Sequence, residues 1–264
     1  MLPKIIGILN LAEDSFFDGG RYNSFSLVLD QAYRMIDSGA EVIDIGAEST
    51  RPGSKMISSK IELDKIIPLL SELKKTRKIL ISIDTYKYEV AEQALEHGAD
   101  IINDIYALRF HEKMGQVLSR FPQSKIILTH MQGNPTIMQM QPLYHDVIQE
   151  ISDFFHERID YCLHEGIDKS RLILDPGIGF GKCFEHNIMI IKNIEKFHIS
   201  QLPICLGASR KSFLNEIYPS EPSGRLMGSL ATTVVAYLKK LEWIRVHDVQ
   251  EHHELLKTLS VLVN

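Results

Sequence analysis

Polar residues able to do chemistry stand at regular stations along the chain, each just beyond a short apolar run. Asn10 follows the first run, with Asp14-Ser15-Phe16-Phe17-Asp18-Gly19-Gly20 shortly after it. Glu48-Ser49-Thr50-Arg51-Pro52-Gly53 follows the second, Asp84-Thr85 the third, Asn103-Asp104 the fourth and His130-Met131-Gln132-Gly133 the fifth. The last three stations carry Asp175-Pro176-Gly177-Ile178-Gly179-Phe180-Gly181-Lys182, Gly207-Ala208-Ser209-Arg210-Lys211-Ser212 and Arg245-Val246-His247-Asp248. Taken singly, an aspartate in such a place is commonly a helix cap or turn former, and His130 would pass for a satisfied core histidine. Recurrence at every station points instead to one enclosed polar site. Asp84, Asn103 and Asp175 suit a ring edge that alternates donors and acceptors. Arg245 can stack its guanidinium on an aromatic plane, and with His247 and Asn10 it can face an anion. Ser212 falls where a helix should begin, and free N-H groups there attract a carboxylate or phosphate. The chemistry implied is that of a flat heterocycle joined to an anion.

The elements that must position these groups are the apolar runs themselves, at 5–9, 42–45, 79–83, 101–103, 125–129, 172–174, 203–206 and 243–246. Each is short and rich in β-branched or aliphatic residues, as a strand buried on both faces requires. Helical periodicity fills the intervals near 27–38, 59–75, 87–97, 111–120, 146–165, 186–197, 223–241 and 249–262. Gly39 and Gly98 sit where a helix C-terminus favours a left-handed residue. Parallel strands need right-handed helical crossovers, and eight such units close most economically into a (β/α)8 barrel. A doubly wound open sheet is the other fold this pattern admits. No linker or low-complexity tract divides the chain, so residues 1–264 are expected to form one α/β domain. In a barrel the C-terminal strand ends converge on one face, where all the polar stations then meet.

Totals agree with that picture and exclude others. A length of 264 residues with 44% hydrophobic content supports one large core. Lysine and arginine number 29 against 34 aspartate and glutamate, so nothing favours a nucleic-acid partner. The run at 5–9 is too short to span a membrane and lacks the form of an export signal, so the cytoplasm is the expected compartment. Three cysteines, Cys162, Cys183 and Cys205, without Cys-x-x-Cys spacing fit neither a disulfide framework nor a zinc ribbon. Met131, Met138 and Met140 are expected in packing or loops, Trp243 in the core, and His252-His253 on a solvated helix face.

From Gly7 to near the C-terminus the chain resembles the dihydropteroate synthases. The likeness rests on Gly7-Ile8-Leu9-Asn10, Glu48 to Gly53, Ile101-Ile102-Asn103-Asp104, His130-Met131-Gln132-Gly133-Asn134-Pro135, Leu174-Asp175-Pro176-Gly177, Ser209-Arg210-Lys211-Ser212 and Arg245-Val246-His247-Asp248, all in that family's order. The resemblance implies a pterin pocket of Asp84, Asn103, Asp175 and Lys211, with Arg245 over the ring. It implies a diphosphate site of Asn10, Arg245 and His247, with Asn10 also holding Mg2+. Thr50, Arg51, Pro52, Phe180 and Ser212 would bind p-aminobenzoate. Asp18, Lys211 and His247 would be catalytic, and the partner would be a second copy in a homodimer. The implied reaction passes through a pterin-methyl cation that the aniline nitrogen captures.

The first loop departs from the family's common run, with Ala12-Glu13 where Thr-Pro usually precedes Asp-Ser-Phe, so proline's rigidity is lost. Thr50 to Gly53 and Phe180-Gly181-Lys182 keep the pattern of sulfonamide-sensitive members. Two rival readings remain at this level. A pterin-dependent methyltransferase would share the pocket but would need neither the 49–53 loop nor the 209–212 run; a non-catalytic pterin-binding paralogue would keep the pocket and release no diphosphate. The role assignments separate binding from turnover. Asp175→Ala is expected to weaken pterin binding by calorimetry, whereas Asp18→Ala should bind pterin and turn over slowly; normal binding in the first or full turnover in the second would refute that assignment.

Overall fold

A computed structural model of the chain describes residues 2–11, 21–49, 56–135 and 137–263. Eight parallel strands are present: β1 (Lys4–Asn10), β2 (Val42–Gly46), β3 (Leu80–Asp84), β4 (Ile101–Asp104), β5 (Lys125–Thr129), β6 (Leu172–Asp175), β7 (Cys205–Leu206) and β8 (Trp243–Val246). Around them lie α1 (Arg21–Asp37), α2 (Ser59–Thr76), α3 (Tyr88–Glu96), α4 (Lys113–Arg120), α5 (Val147–His164), α6 (Phe184–Lys192), α7 (Phe213–Ile217), α8 (Leu226–Leu238) and α9 (Val249–Leu262). Strand order runs β6-β5-β4-β3-β2-β1-β8-β7. A parallel bridge between Leu174 and Ile204, with the Leu174 N-H donating to the Pro203 carbonyl at 2.9 Å, joins the two ends. The sheet is therefore a closed barrel, and the open-sheet alternative is excluded.

Alternation along each strand sets the inside of the barrel. Ile6, Val42, Ile101, Ile127, Ile173, Cys205 and Trp243 form one buried apolar cluster, a plug to which every strand but β3 contributes. Strand side chains repeat every two residues, so the next inward position up each strand lies two residues on. Those positions are Asp44 after Val42, Asn103 after Ile101, Thr129 after Ile127, Asp175 after Ile173 and Arg245 after Trp243, all polar, together with Gly207 after Cys205 and the apolar Ile8 after Ile6. A polar layer thus rests directly on an apolar one. Outside the strands a second, larger core packs the helices down, with Phe155 and Phe197 fully buried in it.

The structure shifts several expected boundaries for local reasons. Pro222 opens a 3-10 turn at Pro222–Arg225, so α8 begins only at Leu226, and a further 3-10 turn at Ile194–Phe197 follows α6. Ser212 stands before α7 but already has helical dihedrals (φ -63, ψ -28) and makes no side-chain capping bond. Trp243 is in the core as expected, Met131 and Met138 are buried, Met140 is exposed, and all three cysteines are free thiols. Among the described residues no helix is long and apolar enough to cross a membrane.

His252 corrects the expected solvated pair. Spacings of three and four from Val249 to His252 to Leu256 place it on the buried stripe of α9, while His253 lies one step off that stripe. His252 is fully buried, with Nδ1 2.7 Å from the Thr233 hydroxyl and no partner for Nε2. Burial pushes its pKa down to about 4, with Asp248 opposing only weakly. Between about pH 6.5 and that value the unfolded chain takes up a proton that the folded chain refuses. Stability is complete above that window and should fall by about 3 kcal/mol from this group as pH drops through it. Urea midpoints at pH 7 and pH 4.5 check this, and His252→Leu should flatten part of the decline; an unchanged decline would place its source elsewhere.

Candidate active site

Arg245 is the centre of the polar layer. Its Nε donates to Asp44 Oδ2 at 2.6 Å and its Nη2 to Asp84 Oδ2 at 2.6 Å, so carboxylates grip two edges of the guanidinium. Asp44 is fully buried and also accepts from Asn103 Nδ2 at 3.3 Å. Burial drives Asp84 up to about 7, helped by its neighbour Asp44 and resisted by Arg245. Burial pulls the other way on Arg245, but the two carboxylates more than offset it and hold the group charged. Three buried polar atoms here have no hydrogen-bond partner: Asp44 Oδ1, Ser82 Oγ and Asn103 Oδ1. Of the three, the Asn103 amide oxygen belongs to a residue expected at the pocket, and a buried acceptor left open there is the expected mark of a ligand's donor.

Asp175 and Lys211 complete the floor. Asp175 Oδ1 accepts from the Gly177 N-H at 2.8 Å, and Gly207 has no Cβ to press on Oδ2, which would lie 3.3 Å from one. Burial raises the Asp175 pKa, with the Gly177 N-H and Lys211 opposing. Lys211 is lowered to about 8, by burial first and then by Arg245, with Asp175 and Asp84 opposing. Its Nζ lies 4.1 Å from the centroid of the Phe180 ring. One cation therefore reaches both the acidic floor and the aromatic wall.

That wall is built from the turns after β5 and β6. Phe180 packs with Tyr86, Ile105, Met131 and Met138 in a separate buried cluster. Behind it Lys182 is almost wholly buried, with Nζ 2.9 Å from His130 Nδ1, 3.2 Å from the His130 carbonyl and 3.0 Å from the Phe180 carbonyl. Burial pushes the Lys182 pKa well below the usual lysine range, and these three contacts are how its amine is satisfied without a carboxylate beside it. His130 is thus the satisfied core histidine its type suggests, now with a structural job. The turn must come close: a Cβ on Gly177 (φ 68) would stand 2.0 Å from the His130 carbonyl oxygen, and one on Gly181 (φ 63) 2.5 Å from that of Gln132. Only glycine fits at both points.

Toward the rim, Asn10 ends β1 exposed to solvent, and the bare Cα of Gly46 lets Asn10 Oδ1 and Asp84 Oδ2 share the space above it. His247 lies beyond β8. Burial, then Arg245 and Arg210, push its pKa down to about 3, so the ring is neutral at physiological pH. The Ser209 hydroxyl accepts the His247 backbone N-H at 3.2 Å and stands 3.0 Å from Nδ1. Ser209 is buried, and Nδ1 is the acceptor its proton can reach, which leaves the ring's own N-H on Nε2. Arg210 is tied to Asp248 by two bonds and is not free for a ligand.

Five expected pocket residues, Asp84, Asn103, Asp175, Lys211 and Arg245, thus share one layer, with His247 and Asn10 above it. Ser212 is exposed and stands immediately before α7, where a helix was expected to begin, with no capping bond from its side chain. Asp18, Thr50, Arg51 and Pro52 lie outside the described residues, as do Ala12 and Glu13. The sequence reading missed Asp44, whose signal was a charge inside the apolar run 42–45, and the buried set Glu48, Glu62 and Lys87. Lys87 Nζ meets Glu48 and Glu62 at 2.6 Å each, and Glu48 also accepts from Tyr86 and from the Ile57 N-H. This network ties Glu48 and Ile57 to the turn after β3. Among the described residues no group of three or more His, Cys, Asp or Glu could hold a metal.

Comparison with known proteins fits this geometry. Residues 6–247 match the family model described as pterin binding enzyme. The dihydropteroate synthase of Escherichia coli K12 is 41% identical over 262 residues, covering 99% of this chain and 92% of that one. The Yersinia pestis dihydropteroate synthase in a sulfonamide drug complex superposes with a TM-score of 0.92 at 38% identity, covering 98% of this chain and 94% of that one. The Clostridium difficile dihydropteroate synthase crystallised with pteroic acid gives a TM-score of 0.92 at 38% identity, covering 100% and 98%. With its barrel, its polar floor and nearly its whole length in common with them, the chain belongs to the pterin-binding enzymes, among the dihydropteroate synthases.

Proposed function

We infer that the chain is a dihydropteroate synthase, condensing 6-hydroxymethyl-7,8-dihydropterin diphosphate with p-aminobenzoate to give 7,8-dihydropteroate and diphosphate. The observation that carries this is the floor of the barrel, where the open Asn103 amide oxygen and the carboxyl groups of Asp84 and Asp175 accompany a clamped guanidinium. On this reading Asp84, Asn103 and Asp175 take the pterin's amino and ring N-H groups, Lys211 donates to a ring acceptor, and Arg245 lies against the ring. Phe180 meets the aminobenzoate ring, and by family likeness Thr50, Arg51, Pro52 and Ser212 complete that subsite. Pteroic acid, bound by the Clostridium difficile enzyme, joins the two halves that such a site must hold.

Asn10 and the Nε2-H of His247 face the diphosphate. Breaking the bond between the methyl carbon and the diphosphate oxygen leaves positive charge on the pterin and negative charge on the departing group. The aniline nitrogen then forms the new bond and loses a proton. By family likeness Asp18 offsets the cation, and Lys211 and His247 steady the charges on either side of the breaking bond. Asn10 fits Mg2+ in one respect: it offers a single exposed amide oxygen, a hard donor suited to an ion that keeps most of its ligands as water and phosphate oxygen. When bound there, Mg2+ would neutralise diphosphate charge. Lys211 and Phe180, standing in contact at the inner edge of the aminobenzoate subsite, also suit a sulfonamide, the ligand class bound by the Yersinia pestis enzyme.

A homodimer is supported by exposed apolar side chains on neighbouring helices, Ile217 on α7, Met227 and Leu238 on α8, and Val261 and Leu262 on α9. Free thiols at all three cysteines suit a reducing cytoplasm. Sedimentation equilibrium should give twice the 30.1 kDa chain mass, and a concentration-independent monomer would refute the dimer. The activity is tested by diphosphate release from the pterin substrate with magnesium, with and without p-aminobenzoate. Release that requires p-aminobenzoate and yields dihydropteroate by mass is expected; pterin binding without that product would make the chain a non-catalytic paralogue.

A further inference from the structure

Asp44 plays no part in the reaction as drawn so far, yet it is the most deeply buried carboxylate of the barrel floor. It is fully buried directly above Val42 of the apolar plug, and its register partner on β3 is Ser82, equally buried. An ionised group in such a place is costly unless its bonds are made, and Asp44 makes only half of them. Oδ2 receives Arg245 Nε at 2.6 Å and Asn103 Nδ2 at 3.3 Å, while Oδ1 receives nothing. Both donors belong to groups already placed against the pterin.

The geometry of those two bonds is informative. An arginine held by one carboxylate can swing about that contact, whereas bonds at Nε and Nη2 to carboxylates on two different strands fix the guanidinium plane. For Asn103, the bond from Nδ2 to Asp44 decides which end of the amide is oxygen, and it leaves Oδ1 buried and open as an acceptor. We propose that Asp44 is a positioning residue for pterin recognition: it locks the plane of Arg245 and turns the Asn103 amide oxygen toward the ring, without touching the substrate itself. This rests on the pterin reading of the site. The bland alternative is that Asp44 serves only as a counter-ion whose loss would loosen the barrel as a whole.

The two are separable by where the damage falls. Asp44→Asn keeps shape and removes the charge, so it should weaken calorimetric binding of 6-hydroxymethylpterin by about tenfold or more. KM for p-aminobenzoate should stay within about twofold, because the Phe180 wall has its own supports. Ser82→Ala, in the same layer and without a bond to lose, should leave both near wild type. A double-mutant cycle gives the sharper reading: in an Arg245→Gln background, Asp44→Asn should cost about threefold or less, since much of what Asp44 positions is already gone. If Asp44→Asn alone fails to fold, the double variant, which carries neither buried charge, is compared with Arg245→Gln and read in the same way.

Equal losses in pterin and p-aminobenzoate parameters, additive costs in the cycle, or a Ser82→Ala defect as large as that of Asp44→Asn would each overturn the proposal. Wild-type protein that does not bind 6-hydroxymethylpterin would overturn the pterin reading itself, an outcome distinct from a wild type that binds and an Asp44→Asn variant that binds equally well.

Discussion

The interaction on which the rest of the site depends is the burial of one guanidinium between two carboxylates on top of an apolar plug. Arg245 could not be carried to the middle of a barrel alone, because the desolvation cost of a lone charge there would exceed what the fold can spare. Asp44 and Asp84 make the burial possible, and in return Arg245 keeps two like charges tolerable at close quarters. The barrel supplies the geometry: parallel strands in fixed register bring Asp44 of β2 and Arg245 of β8, each two residues above the plug, together with Asp84 of β3. A one-residue slip on any of them would turn its polar group outward and leave the others unpaired. Fold and site are therefore enforced by the same contacts.

A second set of contacts builds the wall beside this floor, and it works by a different principle. Nothing in the turns after β5 and β6 resembles a regular element, so their rigidity comes from side chains that answer backbone carbonyls. Lys182 takes the carbonyls of His130 and Phe180, Tyr144 donates to the Gly181 carbonyl at 2.9 Å, and Asn187 Oδ1 receives the Gly179 N-H at 2.8 Å. Phe180 is thereby held from behind while its ring faces Lys211. Buried backbone groups need partners, and these turns find several of theirs in side chains rather than in strand pairing.

Much of this was legible in the sequence because barrel chemistry gathers at strand ends. Asp84, Asn103 and Asp175 each close or follow an apolar run, and the family motifs named Asn103, Asp175 and also Arg245, which lies within its run. Asp44 escaped because it lies within its run, where a search for groups beyond the strand misses it; stepping by two from Val42 would have found it. Lys182 escaped for another reason, since its role depends on where two carbonyls from separate turns come to rest. The helix start at Ser212 was legible too, although its helical dihedrals, which leave its side chain without a capping bond, were not. His252 was misread although the 249, 252, 256 spacing was present, because paired histidines suggest solvent more strongly than a stripe suggests burial.

The distribution of charge explains why the proposed chemistry suits this site. Asp44, Asp84 and Asp175 face Arg245 and Lys211, three carboxyl groups to two basic ones. Burial pushes both kinds toward neutrality, Asp84 up to about 7, Asp175 upward and Lys211 down to about 8, so positive charge arriving beside the carboxyl groups draws them back to their ionised form. Such a floor favours positive charge developing on a heterocycle placed against it. The rim is different. His247 is neutral and offers an N-H, Asn10 is an amide, and Arg210 is occupied by Asp248. An anion at the rim thus finds donors and little fixed positive charge, so it is held while covalently tethered and is free to depart once cut loose. Charge separation across the breaking bond, positive inward and negative outward, is the direction that these floor and rim groups favour.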